Sequence, residues 1–284
     1  FEIVFAASGR PLEFIRNEYP GIRTIDFPGV HVNYPRSNRI GLKIFRMIPA
    51  FLSGIWKEHR TLKKLVRETG ATLVISDNRY GCWHPEIQSV FITHQLNIHV
   101  PAAIKFLQPM LNKINYWFIN KYDQCWIPDF EAHRGLAGAL SHPVKLPANA
   151  FFTGILSRFS GKEEPYEKLV NLEFDLLVML SGPEPQRTIL EDNILRQVAG
   201  VDLQVAIVCG MPEAETAYVI DGRIHVFSHL NSIRMKELIR RSAIVLCRSG
   251  YSSIMDLVTM GKCAIFIPTP GQPGIGPQPL GPRR

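Results

Sequence analysis

Cysteine is sparse in this sequence, and none of it is arranged for bonding. Cys82, Cys125, Cys209, Cys247 and Cys263 are widely spaced, with no C-x-x-C pair. The pattern offers neither a zinc site nor a disulfide framework. Three of the five sit in apolar, strand-like runs, where buried free thiols fit a reducing cytoplasm. No apolar run reaches the roughly 20 residues needed for a membrane-spanning helix. No block of lysine and arginine and no base-reading motif stands out, so nucleic acid is not an expected partner. His84, His99 and His133 lack metal-ligand spacing, and neither a metal nor another cofactor is expected.

What is present reads as globular. Of 284 residues, 46% are hydrophobic and 20% charged, enough to bury one large core or two modest ones. Lys+Arg number 32 against 25 Asp+Glu, a formal net charge of +7. A mild positive field suits an anionic ligand such as a nucleotide diphosphate, or an anionic membrane surface. Both ends read as interrupted. The chain opens on Phe1-Glu2-Ile3-Val4-Phe5, inside a strand pattern and without the basic region of a secretory leader. It closes on a Pro- and Gly-rich tail over 271–284 that can bury little and is expected to be disordered. The expectation is a piece of a longer protein, with its start missing and its end truncated or read in another frame.

Between the ends, short apolar runs alternate with helical periodicity. Residues 1–7 read as a strand, and a short helix opens at Pro11, where proline suits the first turn. Apolar residues recur at helical spacing over 44–66, with Pro49 as a kink or a start and Gly70 as a stop. Strands follow at 71–76, 89–93 and 124–127, with a helix over 102–121. Near 158–167 the pattern lapses into polar, Gly- and Pro-containing sequence, then resumes. Strands are read at 174–180, 203–208, 224–227, 243–247 and 263–267, and helices at 186–198, 233–241 and 252–260. Strand–helix alternation implies parallel sheets with right-handed crossovers. The domains are therefore read as 1–160, 161–270 and the tail.

In open parallel sheets, ligands gather beyond the carboxyl ends of strands. Two such places carry suitable residues. Ser181-Gly182-Pro183 leads from a strand into a helix, where free amides can hold an anion. An ordinary turn explains the same residues, and the prolines remove donors. At Cys247-Arg248-Ser249-Gly250-Tyr251-Ser252-Ser253, a strand ends and a helix begins among hydroxyls. These groups can wrap a diphosphate, and Asp256, one turn further in, can accept two hydrogen bonds from a ribose diol. The alternative is a plain N-cap with a favourable charge behind it.

Arg248-Ser249-Gly250, a carboxylate six residues after the glycine, then Met260-Gly261-Lys262 and Phe266-Ile267-Pro268, resemble glycosyltransferase family 28. This is the family of the peptidoglycan N-acetylglucosaminyltransferase. The resemblance covers about 174–268 and implies an α/β fold of two Rossmann-like, parallel-sheet domains facing a cleft, the GT-B type. It also implies that Ser181, Gly182, Ser249, Gly250, Ser252 and Ser253 lie at the donor diphosphate. Asp256 would lie at the ribose, and Phe227, Ser228 and His229 on the uracil side. The family has Glu where this chain has Asp256, one methylene longer. Its N-terminal Gly-rich loop and its final sugar-contacting loop and helices have no counterpart here.

The first half carries Asp77 and His94 just after strands. Either can supply the base an inverting transferase needs, and either can be a structural residue. The stretch 106–122 mixes apolar residues with Lys105, Lys113 and Lys121; it reads as core, or as peripheral contact with an anionic membrane at the inner face of the cytoplasmic membrane. The expected activity is transfer of a sugar from a UDP-sugar to an unknown acceptor, whether glycan, lipid-linked or small molecule, by a scheme that calls for no metal. The alternatives are a UDP-sugar hydrolase or epimerase of related fold, or a non-catalytic nucleotide-sugar-binding subunit.

Overall fold

The computed structural model describes residues 1–29, 40–100, 102–131, 135–161, 172–182, 184–212, 214 and 216–268, with backbone alone at 40–48 and 102–103. The tail expected to be disordered lies outside the described residues. The chain divides into two compact units, one of residues 6–8 and 25–155, the other of 1–5, 9–24 and 156–284.

β1 (Val4–Ala7) pairs with β2 (Arg23–Asp26), and α1 (Arg10–Glu18) links them with proline in its first turn. α2 (Ile40–Thr69) is longer than its periodicity suggested, and Pro49 lies inside it. β3 (Leu73–Asp77), β4 (Gln88–Ile92), β5 (Gln124–Ile127) and β6 (Ala150–Phe152) then form a four-stranded parallel sheet in that order. The helix expected over 102–121 opens instead as a 3-10 turn over 102–107, with non-helical angles at Ile104, and becomes α3 (Gln108–Ile119). Phe91, Ile119, Tyr122, Cys125 and Ile127 form one core of this unit, and Phe27, Leu62, Val66 and Cys82 another.

The second unit follows the strand–helix rhythm read from the sequence: β7 (Phe174–Met179), α4 (Gln186–Val198), β8 (Val205–Val208), β9 (Ala217–Ile220), β10 (Ile224–Phe227), α5 (Ser232–Arg240), β11 (Ser242–Arg248), α6 (Tyr251–Thr259) and β12 (Ala264–Ile267). Its six-stranded sheet has the order β12-β11-β7-β8-β10-β9. Every pairing is parallel except β9 with β10. Alternate residues of β7 point to opposite faces. Leu177 and Met179 join Leu238, Ile239 and Leu257 on one side, while Val178 packs with Leu190, Ile194 and Val198 on the other. Because both faces are covered, β8 is apolar throughout and β7 is apolar from Leu176 to Met179.

β9 went unread in the sequence, although its turn carries a strong hairpin signal. Asp221 and Gly222 both take positive φ, at 50° and 67°, and the Arg223 N–H donates to the Ile220 carbonyl at 3.1 Å. Such a turn matches the twist of the strands it joins, and Asp-Gly is suited to it.

One glycine is fixed by close approach. Gly210 follows β8 at φ +68°, and a Cβ there would lie 2.6 Å from the Leu180 carbonyl oxygen. Gly210→Ala should therefore destabilise this unit by more than the ~1 kcal/mol typical of an unstrained glycine change, read as a lower urea midpoint. An unchanged midpoint would mean that the loop shifts freely.

Candidate functional site

From β7 the chain runs outward through β8 to β10, then returns to the other side of β7 as β11 and continues to β12. The direction of winding reverses between β7 and β11. In open α/β sheets the crevice at that reversal, beyond the carboxyl ends, is where ligands bind. The loops leaving β7 and β11 carry Ser181-Gly182 and Ser249-Gly250, so the two small-residue loops read from the sequence flank this one point.

Three helices begin at this edge, and their N-terminal amides are not equally engaged. At α4 the Glu184 carboxylate accepts from the Thr188 amide at 3.3 Å and its hydroxyl at 2.8 Å, and from Arg187 Nε at 2.6 Å. Arg187, itself buried, also donates to Glu191 at 2.7 Å. Two carboxylates against one guanidinium leave that corner unfavourable to another anion. At α5 the Asn231 side chain accepts from the Arg234 amide at 2.9 Å, and the Glu18 carboxylate accepts from the Ser232 amide at 2.9 and 3.1 Å. At α6 the N-cap is Gly250, with no side-chain cap. Ser252 is exposed and Ser253 half-buried beside it. Of the three, α6 is the one that opens on a glycine, which brings no capping side chain to its first amides.

A cavity of about 600 Å³ within the same unit is lined by Ser181, His229, Ser252 and Ser253, together with Arg10 and Arg158. Four of the expected site residues thus share one space with two guanidinium groups. A second cavity of about 440 Å³ is lined by Phe227, Ser228 and His229. Ser228 is already engaged there: its hydroxyl accepts from the Thr216 amide and donates to the Ala214 carbonyl, and its own amide donates to the Thr216 carbonyl at 2.9 Å.

Asp256 is buried in α6, and its two carboxylate oxygens have separate partners. Oδ1 accepts from the Ser157 hydroxyl at 2.6 Å and Oδ2 from Arg158 Nε at 3.3 Å. Each oxygen keeps a further acceptor site. Sequence reading missed Ser157 and Arg158, since no local pattern links residues almost a hundred positions apart.

In the other unit, Asp77 and His94 lie at the carboxyl ends of adjacent strands, Asp77 pairing in register with Ile92. The Asn78 amide donates to the Ile92 carbonyl at 3.0 Å, and the Thr93 hydroxyl donates to the Asn78 side-chain oxygen at 3.1 Å, joining the two loops. Asp77 stays in contact with solvent, yet crowding of its carboxyl raises its pKa. Burial pushes His94 down to about 4, with Asp129 opposing that shift. Asp129 is fully buried. Burial alone would raise its pKa, but the Ser141 hydroxyl and the amides of Ala137, Leu136 and Phe130 hold it below the usual carboxylate range. His94 is therefore a neutral imidazole at neutral pH, able to accept a proton but weakly basic. The raised carboxyl of Asp77 moves the other way, toward the range useful for general-base work.

The molecule is an α/β protein of the GT-B type. It aligns with the glycosyltransferase SnogD from Streptomyces nogalater with a TM-score of 0.58 and 13% identity, over 95% of this chain and 75% of that one. It aligns with CalG4, the calicheamicin glycosyltransferase, with a TM-score of 0.54 and 10% identity, over 93% and 78%. Residues 186–278 match the Glycosyltransferase family 28 C-terminal domain. A relative from Allorhizobium ampelinum, the UDP-N-acetylglucosamine--N-acetylmuramyl-(pentapeptide) pyrophosphoryl-undecaprenol N-acetylglucosamine transferase, is 22% identical over 251 residues. That match takes in 86% of this chain, which spans 64% of the relative's length. The second half of the chain thus resembles glycosyltransferase family 28 in sequence.

The His94 environment sets a pH dependence. Its folded pKa of about 4 lies below the ordinary 6.5, so between those values the unfolded chain takes up a proton that the folded chain refuses. Stability should fall as pH drops from 6.5 toward 4, and His94→Gln should flatten part of that slope in urea unfolding at pH 7, 5.5 and 4.5. An unchanged slope would place the imidazole in water.

Proposed function

We propose that the full-length protein is a UDP-sugar-dependent glycosyltransferase, with its donor held at the β7–β11 reversal and its acceptor beside Asp77 and His94. The observation that carries this reading is the uncapped N-terminus of α6, set among Ser249, Ser252 and Ser253 at the reversal, within the stretch that matches the family 28 domain. The diphosphate takes the α6 amides and hydroxyls, with Ser181, Gly182 and Gly250 giving the backbone room to approach and Arg158 adding positive charge from across the cavity. The ribose diol donates to the remaining acceptor sites of Asp256, and the base lies along Phe227, Ser228 and His229. A base deprotonates the acceptor hydroxyl, whose oxygen bonds to the anomeric carbon as the bond to the diphosphate breaks. UDP leaves with the charge held by the loop and the helix end.

The acceptor we favour is lipid-linked. The relative's name specifies a pyrophosphoryl-undecaprenol acceptor, and this chain presents a matching surface. Phe106, Met110, Ile114 and Trp117 are exposed along α3 and the turn before it, flanked by Lys105, Lys113 and Lys121. Lys121 lies over the Trp117 ring at 4.0 Å. Apolar side chains bordered by lysines suit the interface of an anionic bilayer, here the inner face of the cytoplasmic membrane. The chain should co-sediment with phosphatidylglycerol vesicles more than with phosphatidylcholine vesicles, and Ile114→Glu with Trp117→Glu should abolish the difference. Equal sedimentation of wild type with both lipids would count against a membrane-borne acceptor.

The donor site is tested by calorimetric titration of UDP into the full-length protein. Asp256→Ala should weaken binding by about 1–3 kcal/mol, the usual value of hydrogen bonds to a charged group. Gly250→Val should weaken it more. A Cβ at Gly250 meets only Ser253 Oγ at 3.8 Å, at an ordinary φ of −70°, so the fold accepts the change and the loss reports phosphate approach. Unchanged affinity in both variants would remove the site. Product analysis then separates transfer, which requires an added acceptor, from hydrolysis or epimerisation, which do not.

A further inference from the structure

α3 is built with polar side chains turned inward. Gln108, Asn112 and Asn115, one helical face, point into the protein and bond to the segment after β4, while Met110, Ile114 and Trp117 are exposed. Asn112 Oδ1 accepts from the Ile98 amide at 2.8 Å, and Gln108 and Asn112 both donate to Asn97 Oδ1. Asn115 is the most enclosed of the three, at 2% exposure. Its nitrogen donates to the backbone carbonyls of Gln95 at 3.0 Å and Leu96 at 3.2 Å, and its oxygen accepts from the Tyr80 hydroxyl at 2.8 Å. Carbonyls only accept, so the amide has one workable orientation, and its hydrogen bonds run to two different loops.

Those loops are the ones that carry Asp77 and His94. Tyr80 follows Asp77 by three residues in the β3–β4 loop, and Gln95 is next to His94. Tyr80 has little freedom of its own, since its ring packs against Phe91 and Phe118, and burial raises its pKa to about 12, keeping the hydroxyl a donor. A buried amide that satisfies a fixed hydroxyl on one side and two loop carbonyls on the other leaves the loops one relative geometry, because any shift strands a polar group away from water. We propose that Asn115 is a positioning residue that holds the Asp77 loop and the His94 loop in register with each other. The proposal deepens the acceptor-side reading and rests on it for its catalytic meaning.

The readout is the titration of His94 itself, followed by NMR of the imidazole in the intact chain, which needs no identified acceptor. Asp129 is the charged group acting on that ring, and burial holds the ring near 4. Asn115→Ala should loosen the 94–96 turn, admit water and move the His94 pKa upward by a unit or more. Tyr80→Phe, which keeps the ring and removes the hydroxyl, should move it the same way by less, and serves alone if the first variant does not fold. Asn149→Ala is the control. That side chain also donates to two backbone carbonyls, of Ile119 and Tyr122, neither of them in the loops that Asn115 joins, and its loss should lower the melting temperature with His94 unmoved. A His94 pKa unchanged in both test variants, or shifted equally in all three, overturns the proposal. The acceptor reading fails separately, if His94→Gln and Asp77→Asn both retain full transfer.

Discussion

The pairing of β7 with β11 on one side and β8 on the other is the constraint on which the second unit depends. Both pairings are parallel, so each demands a crossover, and right-handed crossovers put α4 on one face and α5 and α6 on the other. With β7 and β11 side by side, the loops leaving their carboxyl ends run to opposite sides, and neither covers the point between them. The gap between the two departing loops is a product of topology. The apolar alternation of β7 serves both faces at once and locks the strand in register.

Chemistry then selects within that gap. Of the helix ends gathered at the sheet edge, the chain's own carboxylates and amides engage two, and the third opens on Gly250. Under the proposed donor reading, an arriving anion would meet the Glu184 and Glu191 carboxylates beside α4 and the amide end of a helix at α6.

Much of this was legible in the sequence, for identifiable reasons. β10 and α4 were read with the bounds they have, because buried strands and an amphipathic helix write their periodicity into adjacent residues. The small-residue turn after β11 was legible for the same reason. β2 has charged ends and β6 only three residues, so neither carries a usable period. α3 left two readings open because it turns Gln108, Asn112 and Asn115 inward with Phe118 and Ile119 while it exposes Met110, Ile114 and Trp117, so buried core and exposed surface each describe part of the stretch. The partners of Asp256 were out of reach, since Ser157 and Arg158 meet it only through the fold. The engagement of the α4 terminus by Glu184 was written locally, as a carboxylate four residues ahead of a threonine, yet it has the same spacing as many that form no bond.

The inverted polarity of α3 also bears on how the protein can vary. Its two faces use separate side chains: Gln108, Asn112 and Asn115 set loop geometry within, beside the buried Phe118 and Ile119, and Met110, Ile114 and Trp117 meet the surroundings without. Drift on the outer face can retune solubility or preference for one surface over another while the inner face stays fixed, because no residue serves both. A more soluble form for crystallisation is accessible by recoding only Met110, Ile114 and Trp117. Lineages carrying this helix are free to change what the protein leans on without rebuilding what it does.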